Sequence, residues 1–417
     1  MLQQIEGSRA VAEMVALCRP EVVCAYPISP QTHIIEALGA KVKRGDLAPC
    51  EFINVESEFA AMSVAIGASA TGARVYTATA SQGLLFMIEA VYNAAGLGLP
   101  VVMTLANRAI GAPINIWNDH SDAMAARDTG WVQLFAETNQ EAADLHAQAF
   151  RLAEAVSLPV MVCMDGFILT HAIERVDLPS QEQVDAFLPG YRPRQLLDPA
   201  EPVSIGAMVG PEAFTEVRYL AHVRQLEALE RIPEIAAEFC GHFGRCSGGL
   251  LRPYRLDGAE LVVVALGSVL GTIKDTVDAL RDEGARVGVL GITTFRPFPA
   301  EAVRAALADV RRVVVVEKAF SIGHGGVLTA DVAGTVSDRA VPVATVVAGL
   351  GGRPITRASL RPVFQAAAAG RLEPLTFLDL DREVVERELA RMASRHRSGP
   401  TAENVLRDLG AAGSKIL

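Results

Sequence analysis

No Cys-x-x-Cys pair occurs among the six cysteines, Cys18, Cys24, Cys50, Cys163, Cys240 and Cys246. Neither a disulfide framework nor a zinc or iron-sulfur ligand set is therefore written here. The pattern predicts a reducing, cytoplasmic setting and no metal ligands on this chain, so any cluster must sit on another. Charged residues make up only 21% and aromatics 6% of the 417 residues, against 50% hydrophobic. Long apolar runs are also missing: a stretch such as residues 261–266 falls far short of the ~18 residues that a spanning helix needs, so no membrane partner is expected. Residues 1–20 spread Glu6, Arg9, Glu13 and Arg19 through an amphipathic pattern, which is no export signal. Positive charge is in deficit. A formal net charge of -10 with pI near 5.4 repels phosphate backbones and anionic headgroups, which excludes nucleic acid as an expected partner.

What is present is apolar surface in excess, with a mean hydropathy of +0.27. A soluble chain of this kind is expected to bury the surplus in an oligomer interface. Short apolar runs at residues 22–26, 74–79, 101–106 and 160–164 are bounded by Gly, Pro or Ser and read as buried parallel strands. Helical patterns at 31–42, 57–71, 83–95 and 140–156 alternate with them, which predicts an α/β domain over residues 1–195. Residues 196–258 read as a linker, irregular around Pro199 and Pro202, then a charged helix over 212–240 kinked or broken at Pro233. A second α/β unit over 259–378 follows: strand 261–266, helix 270–283, strand 285–293, turn Arg296-Pro297-Phe298-Pro299, helix 300–308 and strand 312–317. Residues 379–417 read as a charged helical tail with a polar stretch around Ser398.

Several segments have two readings. Asp119-His120-Ser121-Asp122 has the residue types of a metal site, but no fourth ligand is evident and loop hydrogen bonding is the plainer reading. Gly323, Gly325 and Gly326 precede a helix near Val327 and either cradle a phosphate or simply punctuate a strand-to-helix turn. Gly349-Leu350-Gly351-Gly352 is equally ambiguous, and neither stretch matches the dinucleotide fingerprint, so a nicotinamide dehydrogenase is not supported. Tyr26-Pro27-Ile28-Ser29-Pro30 follows a buried strand and puts Ser29 at a strand's carboxyl end, where open α/β sheets bind ligands. The bland alternative is a helix N-cap at Ser29 or Thr32. Glu58 opens a helix rich in Ala60, Ala61, Ala65 and Ala68, where the helix dipole by itself favours an acid.

Taken in order, Ala25-Tyr26-Pro27-Ile28-Ser29-Pro30, Val55-Glu56-Ser57-Glu58-Phe59-Ala60-Ala61, Ala78-Thr79-Ala80-Ser81-Gln82-Gly83, Asn107-Arg108, Asp119-His120-Ser121-Asp122, Arg127-Asp128-Thr129-Gly130-Trp131 and Asp165-Gly166-Phe167 with His171 form one collinear set. Ala265-Leu266-Gly267-Ser268, Phe295-Arg296-Pro297-Phe298 and Gly349-Leu350-Gly351-Gly352-Arg353-Pro354 extend it through the second unit. The set resembles the α subunit of the 2-oxoacid:ferredoxin oxidoreductase family, of the pyruvate:ferredoxin oxidoreductase type, over nearly the whole chain.

The resemblance implies a thiamine diphosphate-binding, pyrimidine-type parallel-sheet domain followed by a transketolase C-terminal-like α/β domain. It implies thiamine diphosphate shared with a β subunit, whose Gly-Asp-Gly motif is absent here, with Mg²⁺ and iron-sulfur clusters on partner subunits. A ferredoxin-like subunit, a γ subunit, a second α copy, a small 2-oxoacid and coenzyme A complete the implied partners. The implied reaction is oxidative decarboxylation with electrons passed to the partners' clusters. By family position Glu58 is the acid that hydrogen-bonds the cofactor's pyrimidine nitrogen, with Glu56 as a nearby rival; burial favours the neutral, proton-donating form of such a group. Tyr26, Pro27, Ser81 and Gln82 join Glu58 as expected cofactor-binding residues. Ser29 and Arg108 match the pair that binds the substrate carboxylate, a task suited to a planar guanidinium; a surface ion pair is the alternative for Arg108. Two departures bear on substrate size: Ser29 stands where the family usually has Thr, and Ile168 where pyruvate-type relatives tend to have Arg. Trp117 either shapes the acyl pocket or belongs to the core. Two other readings remain open, a non-redox thiamine enzyme of transketolase or dehydrogenase type and a non-catalytic scaffold subunit.

Overall fold

Strands that are buried on both faces need no alternation of covered and exposed residues, and four strands of one sheet are of this kind. Val75–Thr79, Val101–Asn107, Val132–Phe135 and Val160–Asp165 are buried at every residue. In the computed structural model, which describes residues 2–394 and 399–411, they lie in a seven-stranded sheet. Its order is Thr294–Arg296, Val132–Phe135, Val160–Asp165, Val101–Asn107, Val75–Thr79, Val22–Ala25, Glu51–Asn54. Every pairing is parallel except the first, where Thr294–Arg296 runs antiparallel to Val132–Phe135. Glu51–Asn54 at the far edge has exposed ends, which is why no apolar run announces it.

The order reverses at Val22–Ala25. The next strand in sequence, Glu51–Asn54, lies on one side of it and the one after, Val75–Thr79, on the other. Such a switch point leaves a crevice at the carboxyl edge, between loops that diverge to opposite faces. Helix Glu58–Ala70 starts beside that crevice, capped by the Ser57 hydroxyl, which accepts from the Ala60 amide at 3.2 Å.

A second, six-stranded sheet runs Leu375–Phe377, Val343–Val347, Arg312–Glu317, Leu261–Ala265, Val287–Ile292, Leu251–Tyr254, antiparallel only at the last pairing. It thus takes in Leu251–Tyr254, a strand from the stretch read as linker. The two sheets share apolar packing: Met62, Val91 and Trp131 belong to one cluster with Val262, Leu290, Phe295 and Leu328.

Several expectations are corrected. Residues 2–6, for which no element was expected, form a strand paired with Ile173–Asp177, and the first helix is Gly7–Leu17. The helix expected over 83–95 is two, Ser81–Phe86 and Ile88–Gly96, divided at Met87. Pro233 does not break its helix, which runs Phe214–Phe243; Ile232, Ile235 and Phe239 pack into the core and offset the hydrogen bond that proline removes. The strand Thr294–Arg296 takes in the first residue of the expected turn, Arg296. The cysteines include one disulfide, Cys240–Cys246, with Cα atoms 4.4 Å apart. Gly244 ends the long helix at φ 69°, and this left-handed turn folds the chain back so that the two meet. Part of the expected tail, Ser398 included, lies outside the described residues. Among those described, no helix is long and apolar enough to cross a membrane.

Candidate active site

Three adjacent strands of the first sheet, Val22–Ala25, Val75–Thr79 and Val101–Asn107, deliver Tyr26–Ser29, Ser81–Gln82 and Arg108 to the same carboxyl edge. Tyr26, Pro27 and Ser29 are exposed there, Gln82 is half-buried and Ser81 fully buried. Helix Thr32–Arg44 has Gln31 as its N-cap and no side-chain cap bond, so neither Ser29 nor Thr32 serves as its cap. Gln31 Nε2 instead donates to the Tyr26 carbonyl at 2.9 Å, which holds the turn.

Arg108 is 8% exposed. Its Nη1 donates to the Ser29 carbonyl and its Nε to the Asn115 carbonyl, both at 3.0 Å. No carboxylate pairs with it among the described residues, so the surface ion pair is not what is found. Burial lowers its affinity for its own charge, with nearby Asp122 working the other way. A desolvated guanidinium held only by carbonyl oxygens is ready to accept an anion.

Glu58 is 7% exposed and Glu56 is exposed. The Glu58 carboxylate packs against the Cα of Gly83: a Cβ there would stand 2.7 Å from Glu58 Oε1 and 2.6 Å from Thr79 Oγ1. Thr79 Oγ1 is buried without a hydrogen-bond partner, and none is found for the Glu58 carboxylate among the described residues. A buried acid beside an orphaned hydroxyl, both packed so closely over Gly83 that a Cβ would collide with them, fits the pyrimidine end of thiamine diphosphate. Gly83→Ala is therefore expected to displace Glu58 and weaken cofactor binding with activity, by roughly 100-fold for a shift near 1 Å. Titration of the cofactor into the assembled variant complex checks this, and normal affinity would count against the placement.

The residue that ties these loops together was visible in the sequence only as part of a motif. Asp122 is fully buried and accepts from the Ser81 amide at 3.0 Å, the Arg108 amide at 2.9 Å and Asn107 Nδ2 at 2.9 Å. Burial pushes its carboxyl up to about 7, against the pull of those donors. Ser81 sits at φ 50°, a left-handed conformation rare for a residue with a Cβ, and its Oγ donates to the Ala109 carbonyl at 2.5 Å. The rest of the block also goes to loop hydrogen bonds. Asp119 accepts from Ser121 and from the Gly351 amide at 3.1 Å, and His120 Nε2 bonds Asp165 at 2.9 Å. The three side chains of this block reach different partners and form no metal set.

The glycine-rich turns are likewise filled from within. The amides of Val327, Leu328 and Thr329 donate to the Glu317 carboxylate at 2.8, 2.9 and 3.2 Å, so the helix start after Gly326 holds an internal acid instead of a phosphate. The Gly349–Gly352 turn is pinned to the first unit by Asp119 and by Asn115, whose Nδ2 donates to the Gly351 carbonyl at 3.2 Å. Trp117 is half exposed, 4.8 Å from the Phe167 ring, and so is not a core residue.

The comparisons with known proteins agree with this geometry. The family described as pyruvate flavodoxin/ferredoxin oxidoreductase, thiamine diphosphate-binding, matches residues 13–237, and pyruvate:ferredoxin oxidoreductase core domain II matches 259–360. Pyruvate synthase subunit PorA of Methanosarcina barkeri is 47% identical, covering 91% of this chain and 97% of that one. Ketoisovalerate oxidoreductase subunit VorA of Pyrococcus abyssi is 40% identical over 91% and 96%. Among solved structures, 2-oxoglutarate:ferredoxin oxidoreductase from Magnetococcus marinus matches with TM-score 0.66 and 18% identity, over 88% of this chain and 65% of that one. A split-gene transketolase matches with TM-score 0.52 and 16% identity, over 88% and 99%. These two likenesses concern the fold, a thiamine-enzyme sheet domain joined to a transketolase C-terminal-like one. Matched by one family over half its length and by close relatives end to end, the chain belongs to the pyruvate flavodoxin/ferredoxin oxidoreductase family.

Proposed function

We propose that this chain is the α subunit of a thiamine diphosphate-dependent 2-oxoacid:acceptor oxidoreductase acting on pyruvate or another short aliphatic 2-oxoacid. Relatives named for pyruvate and for ketoisovalerate support that substrate class. The observation that carries the reading is the buried, acid-free guanidinium of Arg108 bound to Ser29 on the sheet edge that also carries Glu58.

Thiamine diphosphate supplies the bond cleavage and electron release when bound. The chain's own residues orient and hold charge. Glu58, packed over Gly83, would offer its carboxyl as the hydrogen-bond partner of the cofactor's pyrimidine, and Tyr26, Pro27, Ser81 and Gln82 would line that end of the cofactor. Arg108 and Ser29 receive the substrate carboxylate, while Asp122 fixes the Ser81 and Arg108 backbones in one register. Trp117 and Phe167 offer an aromatic wall for the acyl side chain. A β subunit would bring the diphosphate and Mg²⁺ ligands, and iron-sulfur clusters on β and on a ferredoxin-like subunit would take the electrons. Coenzyme A would take the acyl group, and a γ subunit and a second α copy would complete the assembly.

The purified complex should contain iron and reduce a viologen dye with pyruvate, dependent on coenzyme A. Arg108→Lys should raise KM for the 2-oxoacid by about tenfold or more with a smaller change in kcat, because an ammonium loses the planar fork. An iron-free complex with ketol-transfer activity would sink the oxidoreductase reading.

A further inference from the structure

We infer that Glu6, His33 and His171 form a binding site for a divalent transition-metal ion of the zinc type. Glu6 ends the strand Leu2–Glu6, His33 lies in the first turn of helix Thr32–Arg44, and His171 precedes the strand Ile173–Asp177. Strand pairing sets Glu6 opposite Ile173, and the Gly7 amide donates to the Ala172 carbonyl at 3.0 Å, which brings the acid beside His171. One ligand atom from each side chain lies within 4.8 Å of the other two, and all three residues are partly buried. These positions are too far apart in sequence for any ligand spacing to announce them.

Two features go beyond proximity. His33 Nδ1 and Glu6 Oε1 already meet at 2.6 Å, and the His33 and His171 rings lie 4.8 Å apart at 38°. His171 Nδ1 is bonded to Thr170 Oγ1 at 2.7 Å, and that hydroxyl is itself buried and accepts from the Phe167 amide at 2.7 Å. The imidazole is thus oriented from behind with Nε2 left as its ligand atom, the support that metal-binding histidines normally have. Two imidazoles and one carboxylate are a zinc donor set that leaves a fourth position for water. Donors about 2.1 Å from a tetrahedral ion stand roughly 3.4 Å apart, so binding draws the three side chains inward. Arg9 Nε, 3.6 Å from Glu6 Oε2, is the competing cation, and its side chain is mostly exposed. Because Glu6 and His171 belong to the two-stranded sheet and His33 to the helix that follows the Ser29 turn, a bound ion staples the sheet to that helix.

The test uses the full chain, stripped with a chelator and titrated with Zn²⁺ and separately with Co²⁺, as wild type, His33→Ala and His171→Ala. About one Zn²⁺ per chain is expected in the wild type, with a higher Tm and visible Co²⁺ absorption. Each variant should lose affinity by on the order of 100-fold or more, with the absorption and the Tm gain, since even outer-shell losses reach that range. The His33 side chain is 41% exposed, and circular dichroism of His33→Ala checks that the fold is kept. Equal zinc binding in wild type and both variants, or none in the wild type, overturns the site and leaves only a His33–Glu6 hydrogen bond.

Discussion

Glu58→Gln is expected to lower substrate-driven reduction of the acceptor by at least about 100-fold while the complex still assembles. Glutamine keeps the shape that fits against Gly83 and Thr79, so packing at the start of helix Glu58–Ala70 survives. What is lost is a proton that can be held at the carboxyl and given back. Glu56→Gln is the control: Glu56 is exposed, and its loss should leave turnover within a factor of a few. Stopped-flow reduction of a viologen dye with size-exclusion chromatography reads both quantities. Full turnover in the Glu58 variant would remove this residue from the mechanism.

Asp165→Asn is expected to cost stability rather than chemistry, by about 3–5 kcal/mol. Asp165 ends the strand Val160–Asp165 and is 1% exposed. It accepts from Lys318 Nζ at 2.8 Å and from the Ser268 amide at 2.9 Å, both from the second unit, and bonds His120 at 2.9 Å. Burial alone would raise its carboxyl, but Lys318 and His120 hold it well below the usual carboxylate range. A group depressed in the folded state contributes fully above its unfolded value of about 4 and loses that contribution as pH falls through the folded value. The gap between wild type and variant should therefore be widest at neutral pH and shrink in acid. Asparagine leaves the Lys318 ammonium, 2% exposed, with no counter-charge, and Lys318→Met in the same chain should recover part of the loss. Denaturant titration at two pH values measures both effects, and equal stability of Asp165→Asn and wild type would show the cluster to be energetically idle.

Three of the first sheet's fully buried strands, Val75–Thr79, Val101–Asn107 and Val160–Asp165, could be read because burial on both faces favours a long apolar run, whereas in Val132–Phe135 the buried Gln133 interrupts it. Glu51–Asn54 and Thr294–Arg296 could not, the one because its edge position leaves it half polar, the other because three residues carry no period. The site divides in the same way. Ser29, Glu58 and Arg108 stand in contiguous motifs, and the structure brings Ser29 against Arg108 and buries Glu58 while leaving Glu56 exposed. The Asp122 and Asp165 pairings join residues as far apart as Asp165 and Lys318, and only the fold reveals them. Cys240 and Cys246 escaped for a local reason: a left-handed turn at Gly244, not a ligand-type spacing, brings them together.

Thr294–Arg296 leaves its own sheet to close the edge of the other, against Val132–Phe135. The first unit therefore depends on the second for more than apolar contact, because Val132–Phe135 is buried throughout and without that strand would show an uncovered edge. Separating the units would expose that edge beside the Asp165 cluster, so the first unit taken without the second is expected to be adhesive as well as less stable.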